Sequence, residues 1–285
     1  MVGPRGPRTP VAVFLVSFAV LVLGACDGES LPTSAEPGSA SLSENRSESL
    51  RARFDLETLG LIPYPDDNPP RAQRIELGRL LFFDPILGGE KDVACGTCHL
   101  PEFAFGDGRQ FGAGVSGTGL GPDRVLTDDD LHLEPRNTQT ILNTAFNGAG
   151  TAEPSADGCQ FWDCRVTSLE VQATKPIESR VEMRGDAYPA EMALDSVLAR
   201  LRDIPEYVGR FRGAFPGEAN PRRGGGPREA VIDSSTYARA IAAYERELVA
   251  RNSAFDQYVR GDDAALTPLQ KDGLELFFTD ARCSQ

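Results

Sequence analysis

Hydrophobic residues recur with a helical period at several places along the chain. Ile75, Leu77, Leu80 and Leu81 share one face and stop at Asp84-Pro85, which predicts a helix ending there. Met192 to Leu201 is amphipathic and closes before Pro205. Tyr237, Ile241, Tyr244 and Leu248 mark one face of another helix opening near Ser234 or Ser235. Thr267-Pro268-Leu269-Gln270 combines an N-cap, a proline in the first turn and a capping-box glutamine, and so opens a last helix. These Tyr and Leu stripes are expected to be core. Alternating Val/Ile/Thr stretches are missing, so the expected class is mainly α without a large sheet. Seven glycines between Leu100 and Gly121 predict a long loop wrapped around something.

The N-terminus has a different character. Arg5 and Arg8 precede an apolar run from Val11 to Leu23, broken only by Ser17. That is shorter than the roughly 20 residues of a bilayer span and suits the core of a signal peptide. Leu23-Gly24-Ala25-Cys26 is similar to the lipobox of bacterial lipoproteins, which would make Cys26 a lipidated N-terminus and residues 1–26 the leader. Residues 27–50 are rich in Ser, Glu and Pro, bury too little to offset the entropy of ordering, and read as a flexible tether. Polar breaks fall at Asn220–Arg228 and Arg260–Asp263. The second sets the expected domain boundary, giving one domain over 51–260 and the start of another over 261–285.

With 29 Lys and Arg against 42 Asp and Glu, the net charge of −13 argues against a nucleic-acid partner. The 285 residues allow one or two domains. The cysteines narrow the chemistry. Cys95-Gly96-Thr97-Cys98-His99 is a C-x-x-C-H sequence, which reads as a covalent c-type haem attachment site. Residues three apart lie on one side of a helical turn, so both sulfurs reach one macrocycle, and the next residue can turn its imidazole to the iron. Zinc would need a second complete ligand pair, which the chain lacks. A redox dithiol would be expected after a strand in a βαβ pattern, and none is visible. Gly78-Arg79-Leu80-Leu81-Phe82-Phe83-Asp84 ahead of Cys95 is echoed by Gly273-Leu274-Glu275-Leu276-Phe277-Phe278-Thr279-Asp280 ahead of Cys283. Two such units suggest a duplicated cytochrome fold, the second reduced here to its first helix and first haem cysteine, Cys283. The sequence therefore reads as a fragment of a di-haem protein.

Taken in order, these residues resemble the bacterial di-haem cytochrome c peroxidase family. The resemblance runs through Leu77-Gly78-Arg79, Phe82-Phe83-Asp84-Pro85, the haem pentapeptide, Ala104-Phe105-Gly106-Asp107-Gly108 and Arg136-Asn137-Thr138. It continues through Leu142-Asn143, Phe161-Trp162-Asp163, Leu169, Gln172, Pro176 and Glu182-Met183. It implies two cytochrome-c-like helical domains with one haem c each, the second truncated here. It also implies reduction of hydrogen peroxide with electrons from a small c-type cytochrome or copper protein, in the periplasm, with a bound calcium ion and room for a homodimer. On this resemblance Cys95 and Cys98 hold the peroxidatic haem and His99 is its proximal ligand. Glu182 is the distal acid–base carboxylate, Gln172 a distal amide and Trp162 a relay between haems. Asn137 is a calcium ligand and His132 the candidate distal histidine. The acidic surface could steer a basic donor.

Two departures from the family pattern stand out. Cys164 occupies a position usually held by glycine after Trp-Asp, and about ten residues around Gly148–Gly158 look inserted, bringing Cys159. In an oxidising compartment a Cys159–Cys164 disulfide is expected over two free thiols. Two other functions compete: a di-haem oxidase that modifies tryptophan in a partner protein, and a non-catalytic electron-transfer cytochrome, which would leave Glu182 without a task.

Overall fold

The computed structural model describes residues 50–148, 156–218 and 231–284. The leader with Cys26, nearly all of the tether, most of the inserted stretch and the Asn220–Arg228 break lie outside these residues.

The core is built on two helices that approach unusually closely, α1 (Ala72–Phe83) and the late helix Ser234–Arg246. From α1, Leu77, Leu81 and Phe82 are buried; from its partner, Tyr237 and Ile241. Gly78 makes the approach possible, since a β-carbon there would stand 1.9 Å from the Ala240 carbonyl oxygen. Gly78→Ala is therefore expected to cost about 1–3 kcal/mol or more by forcing the helices apart. Chemical denaturation of the haem-loaded protein would measure it, and an unchanged midpoint would contradict the close contact.

The pentapeptide forms a single turn, α2 (Cys95–Cys98), with the His99 N–H bonded to the Cys95 carbonyl at 2.9 Å. The glycine-rich stretch is irregular, as expected. Its only ladder pairs β1 (Gly117–Thr118) with β2 (Val125–Leu126) in antiparallel register. Arg124, itself buried, ties this loop together by donating to the carbonyls of Ala113, Gly114 and Gly119.

Short helices α3 (Leu169–Gln172) and α4 (Lys175–Glu178) follow, then a wide turn over Arg180–Arg184. Next come α5 (Ala190–Arg202) and α6 (Pro205–Ala214). Pro205 ends the first of these patterns and also opens the second helix, which buries Tyr207, Val208, Phe211 and Ala214. That spacing is helical and legible in the sequence.

The helix Ser234–Arg246 is α7. Asp233 caps it, accepting from the Thr236 N–H at 2.8 Å. Leu248 does not belong to its face, because the helix ends at Arg246 and the chain turns. The Leu248 carbonyl instead accepts the Asn143 N–H at 2.8 Å. At the same end Arg246, fully buried, pairs with Glu170 at 2.5 Å, and Glu170 also accepts from Asn68 at 2.7 Å. Removing one partner would leave a buried charge, so this network fixes α3 against α7.

After α8 (Ala254–Val259), α9 (Pro268–Phe278) opens with the expected capping box. Thr267 Oγ1 accepts from Gln270 N–H at 3.2 Å, and Gln270 Oε1 accepts from Thr267 N–H at 2.8 Å. Phe54 stacks on Phe278 at 4.8 Å, and Arg51 reaches Asp263 at 2.6 Å, so the first described residues run beside the last helix. Leu269, Leu276 and Phe277 remain exposed on α9. Among the described residues no helix is long and apolar enough to cross a membrane.

Candidate functional site

One cavity of about 1180 Å³, solvent mouth included, opens between the pentapeptide, α3, the wide turn and α7. Cys95, Cys98 and His99 lie on its wall together with Glu182, Gln172, Trp162 and Asn137. Residues far apart in sequence thus converge on the pentapeptide. Phe82, Val93, Ile141, Leu169, Ala173 and Ile241 supply much of the remaining surface. A deep, mostly apolar cleft with two thiols and an imidazole along one side suits a flat, hydrophobic macrocycle attached through sulfur.

The donors agree with that fit. Cys95 and Cys98 are free cysteines. Burial pushes both thiols up, Cys98 to about 12, so neither resembles the low-pKa thiolate of a redox dithiol. His99 is half-buried, and its desolvation lowers its pKa and favours the neutral imidazole. Its Nδ1 lies 2.9 Å from the Phe105 carbonyl oxygen. With the proton on Nδ1 the lone pair stays on Nε2, the tautomer a metal-binding imidazole needs. Phe82 packs its ring 6.3 Å from the His99 ring and Tyr244 packs behind Phe82 at 5.2 Å, so core aromatics hold the imidazole in place.

Glu182 enters the cavity from the wide turn, whose hydrogen bonds reach from Gly185 N–H back to Arg180 and from Arg184 N–H back to Ser179. Two loop contacts clamp this turn: Val115 N–H to the Glu182 carbonyl at 3.0 Å, and Gly89 N–H to the Met183 carbonyl at 2.8 Å. Gly114 permits the first, since a β-carbon there would meet the Val181 carbonyl oxygen at 2.1 Å. Burial, then the charge of Glu134, pushes the Glu182 carboxyl up to about 7. A carboxyl poised there can both take and give a proton near neutrality.

Trp162 sits on the rim, 57% exposed, and its indole N–H donates to the Asn137 carbonyl at 3.1 Å. Cys159 and Cys164 form a disulfide on either side of it. His132 is not brought to the cavity. Leu131 beside it is buried while His132 faces solvent, and the nearby side chain that reaches the wall from this segment is Glu134. Cys283 is exposed beyond α9, its N–H bonded to the Phe277 carbonyl at 3.1 Å. Among the described residues no cluster of three or more His, Cys, Asp or Glu could hold a metal ion.

Glu134 and Glu245 are further cavity groups that the motif pattern did not reveal. Glu134 had no distinguishing signal among 42 acids. Glu245 did have one, because it falls four residues after Ile241 on the apolar stripe of α7. It is buried, its Oε2 has no hydrogen-bond partner, and burial raises its pKa to about 8. A folded pKa above the ordinary 4.5 means the native state holds this proton more tightly than the unfolded chain does. Its contribution to stability is complete below about pH 4.5 and is lost as pH rises through 8. Glu245→Gln should flatten that loss and leave the variant more stable than wild type at pH 9, by about 5 kcal/mol. Denaturation midpoints across pH 5–9 would check this; parallel curves for both proteins would contradict it.

Comparison with known proteins agrees with this geometry. Residues 72–264 match the family described as di-haem cytochrome c peroxidase. The chain is 38% identical over 232 residues to a cytochrome-c peroxidase of Pseudomonas sp. strain SCT, covering 81% of this chain and 50% of that protein. It is 38% identical over 218 residues to cytochrome c551 peroxidase of Pseudomonas aeruginosa, covering 76% of this chain and 50% of the relative. It is also 31% identical over 275 residues to methylamine utilization protein MauG of Methylorubrum extorquens, covering 96% and 65% respectively. The chain thus spans half to two-thirds of these relatives' length. A crystal structure of a MauG-like protein associated with microbial copper homeostasis superposes with a TM-score of 0.58 at 26% identity, over 79% of this chain and 54% of that one. Since the matched segment holds the pentapeptide and nearly the whole cavity wall, the chain belongs to the di-haem cytochrome c peroxidase family.

Proposed function

We propose that this chain is the peroxide-reacting part of a di-haem peroxidase that reduces hydrogen peroxide to water. The observation that supports this most directly is that Glu182, Gln172 and Trp162 line the same cavity as Cys95, Cys98 and His99. Haem bound through Cys95 and Cys98 supplies the redox centre at which the peroxide bond breaks. The chain's own residues do the rest. Neutral His99 would hold the iron through its free Nε2 lone pair. Glu182 as carboxylate takes the proton from the incoming peroxide and returns it to the departing oxygen, which then leaves as water. Gln172 offers an amide to orient the substrate, and the apolar wall limits solvent. Trp162, on the rim, relays electrons arriving from the second haem domain.

Residues 51–260 form the peroxidatic haem domain and 261–285 begin the electron-transfer domain, with Cys283 attaching its haem. A small c-type cytochrome or copper protein donates electrons, Asn137 contributes to a calcium site, and a homodimer is the working assembly. His132 retains a distal role only if its loop turns inward. Export as a lipoprotein anchored at Cys26 to the periplasmic face of the membrane completes the reading, and acyl chains on Cys26 by mass spectrometry are the expected result. A free Cys26 thiol would remove the anchor.

The deciding experiment uses the intact protein with both haems. It should oxidise reduced cytochrome c in stopped flow when hydrogen peroxide is added. The tryptophan-modifying oxidase is the second reading, because MauG matches 96% of this chain. No donor oxidation, together with modification of tryptophan in a partner protein, would favour it. A non-catalytic carrier would bind neither CO nor cyanide at the reduced N-terminal haem.

A further inference from the structure

The disulfide beside Trp162 has no task in the chemistry proposed above. It sits at the tip of a hairpin whose arms are joined by Gln160 N–H to the Val166 carbonyl at 2.9 Å and Gly158 N–H to the Thr167 carbonyl at 2.5 Å. The base is anchored, with Gln160 buried. The tip is not. Phe161 and Cys164 both hold left-handed backbone, φ 64° and 54°, a conformation that side chains with a β-carbon disfavour. The contacts that might offset this strain are weak. Cys164 N–H reaches the Phe161 carbonyl at only 3.3 Å, and the Arg165–Asp163 ion pair joins side chains 47% and 41% exposed. Arg165 stacks on Phe161 at 3.6 Å, yet Trp162 between the cysteines is more than half exposed. Among the described residues, the Trp162 indole on the Asn137 carbonyl, the Asn147 amide on the Cys159 carbonyl at 2.8 Å and the Arg136–Asp163 pair at 3.9 Å tie this tip, with Phe161 and Arg165, to neighbouring loops of the cavity wall, but none of these joins the two arms of the tip to each other. The covalent link between Cys159 and Cys164, Cα atoms 4.6 Å apart, does.

We infer that the Cys159–Cys164 disulfide is a positioning clamp for Trp162, holding the hairpin tip closed so that the indole stays on the cavity rim with its N–H on the Asn137 carbonyl. Its effect on turnover rests on the relay reading of Trp162 above; the clamping itself does not.

The test uses the full-length, haem-loaded protein. In Cys159→Ser with Cys164→Ser, the backbone amides at positions 160 and 164 should exchange hydrogen about tenfold faster or more by mass spectrometry, while those of 234–246 stay unchanged. The kcat for donor oxidation should fall about tenfold or more, with the KM for peroxide unchanged, as expected for a misplaced relay. In a Trp162→Phe background the same double substitution should cause no additional loss, because the clamp acts through the indole. If the double variant fails to fold, a water-soluble phosphine applied to the folded protein makes the same break. The phosphine gives two electrons and becomes phosphine oxide with oxygen from water; the S–S bond opens and two thiols take up the protons. Alkylation then counts two new thiols by mass. Two alkylated thiols with unchanged exchange at Gln160 and Cys164 would overturn the clamp, as would an additive loss in the Trp162→Phe background. Faster exchange with unchanged kcat would support the clamp while removing the relay role from Trp162.

Discussion

Glu182→Gln should retain haem and fold while slowing peroxide-dependent oxidation of cytochrome c by about 10²–10⁴-fold, the usual worth of a positioned general acid–base group. The amide keeps the shape of the side chain but cannot carry the proton from one peroxide oxygen to the other. A second signature follows from its environment. Burial and the Glu134 charge raise Glu182 to about 7, and the carboxylate form must start the cycle. Wild-type turnover should therefore rise with pH through about 7, and Glu182→Gln should lose that limb. Stopped-flow rates across pH 5–9 measure both effects. Wild-type rates in the variant would reduce Glu182 to a structural acid and leave Glu134, on the same wall, as the remaining carboxyl to consider.

Cys95→Ser with Cys98→Ser should abolish covalently held haem in this half of the protein. Burial holds both thiols neutral in the cleft, where a macrocycle can be joined to them, and no other pair of free cysteines exists among the described residues. Haem staining after denaturing electrophoresis reads this directly on the 285-residue chain matured in a host that attaches c-type haem. An undiminished band from the double variant would sink the assignment. His99→Ala should differ, keeping the covalent attachment through sulfur while losing the axial nitrogen, with a changed visible spectrum as its mark.

Local rules carried much of the fold and part of the site. The capping box at Thr267, the Pro breaks and the helical stripes each report short-range sterics or hydrogen bonding, which act within a few residues and so are visible in the sequence. The C-x-x-C-H turn is of the same kind: its spacing alone brings both sulfurs to one side. Leu248 shows the limit, because a stripe can run past the point where the backbone turns to bond another segment. Convergence was beyond such rules. That Glu182, Gln172, Trp162 and Asn137 face one cleft depends on Gly78 admitting α1 against α7 and on Gly114 letting the loop grip the wide turn, contacts between residues far apart in the chain. The same long-range packing turned His132 outward, brought Glu134 and Glu245 in, and raised their carboxyl pKa values, because burial and charge proximity exist only once the chain has closed around the cavity.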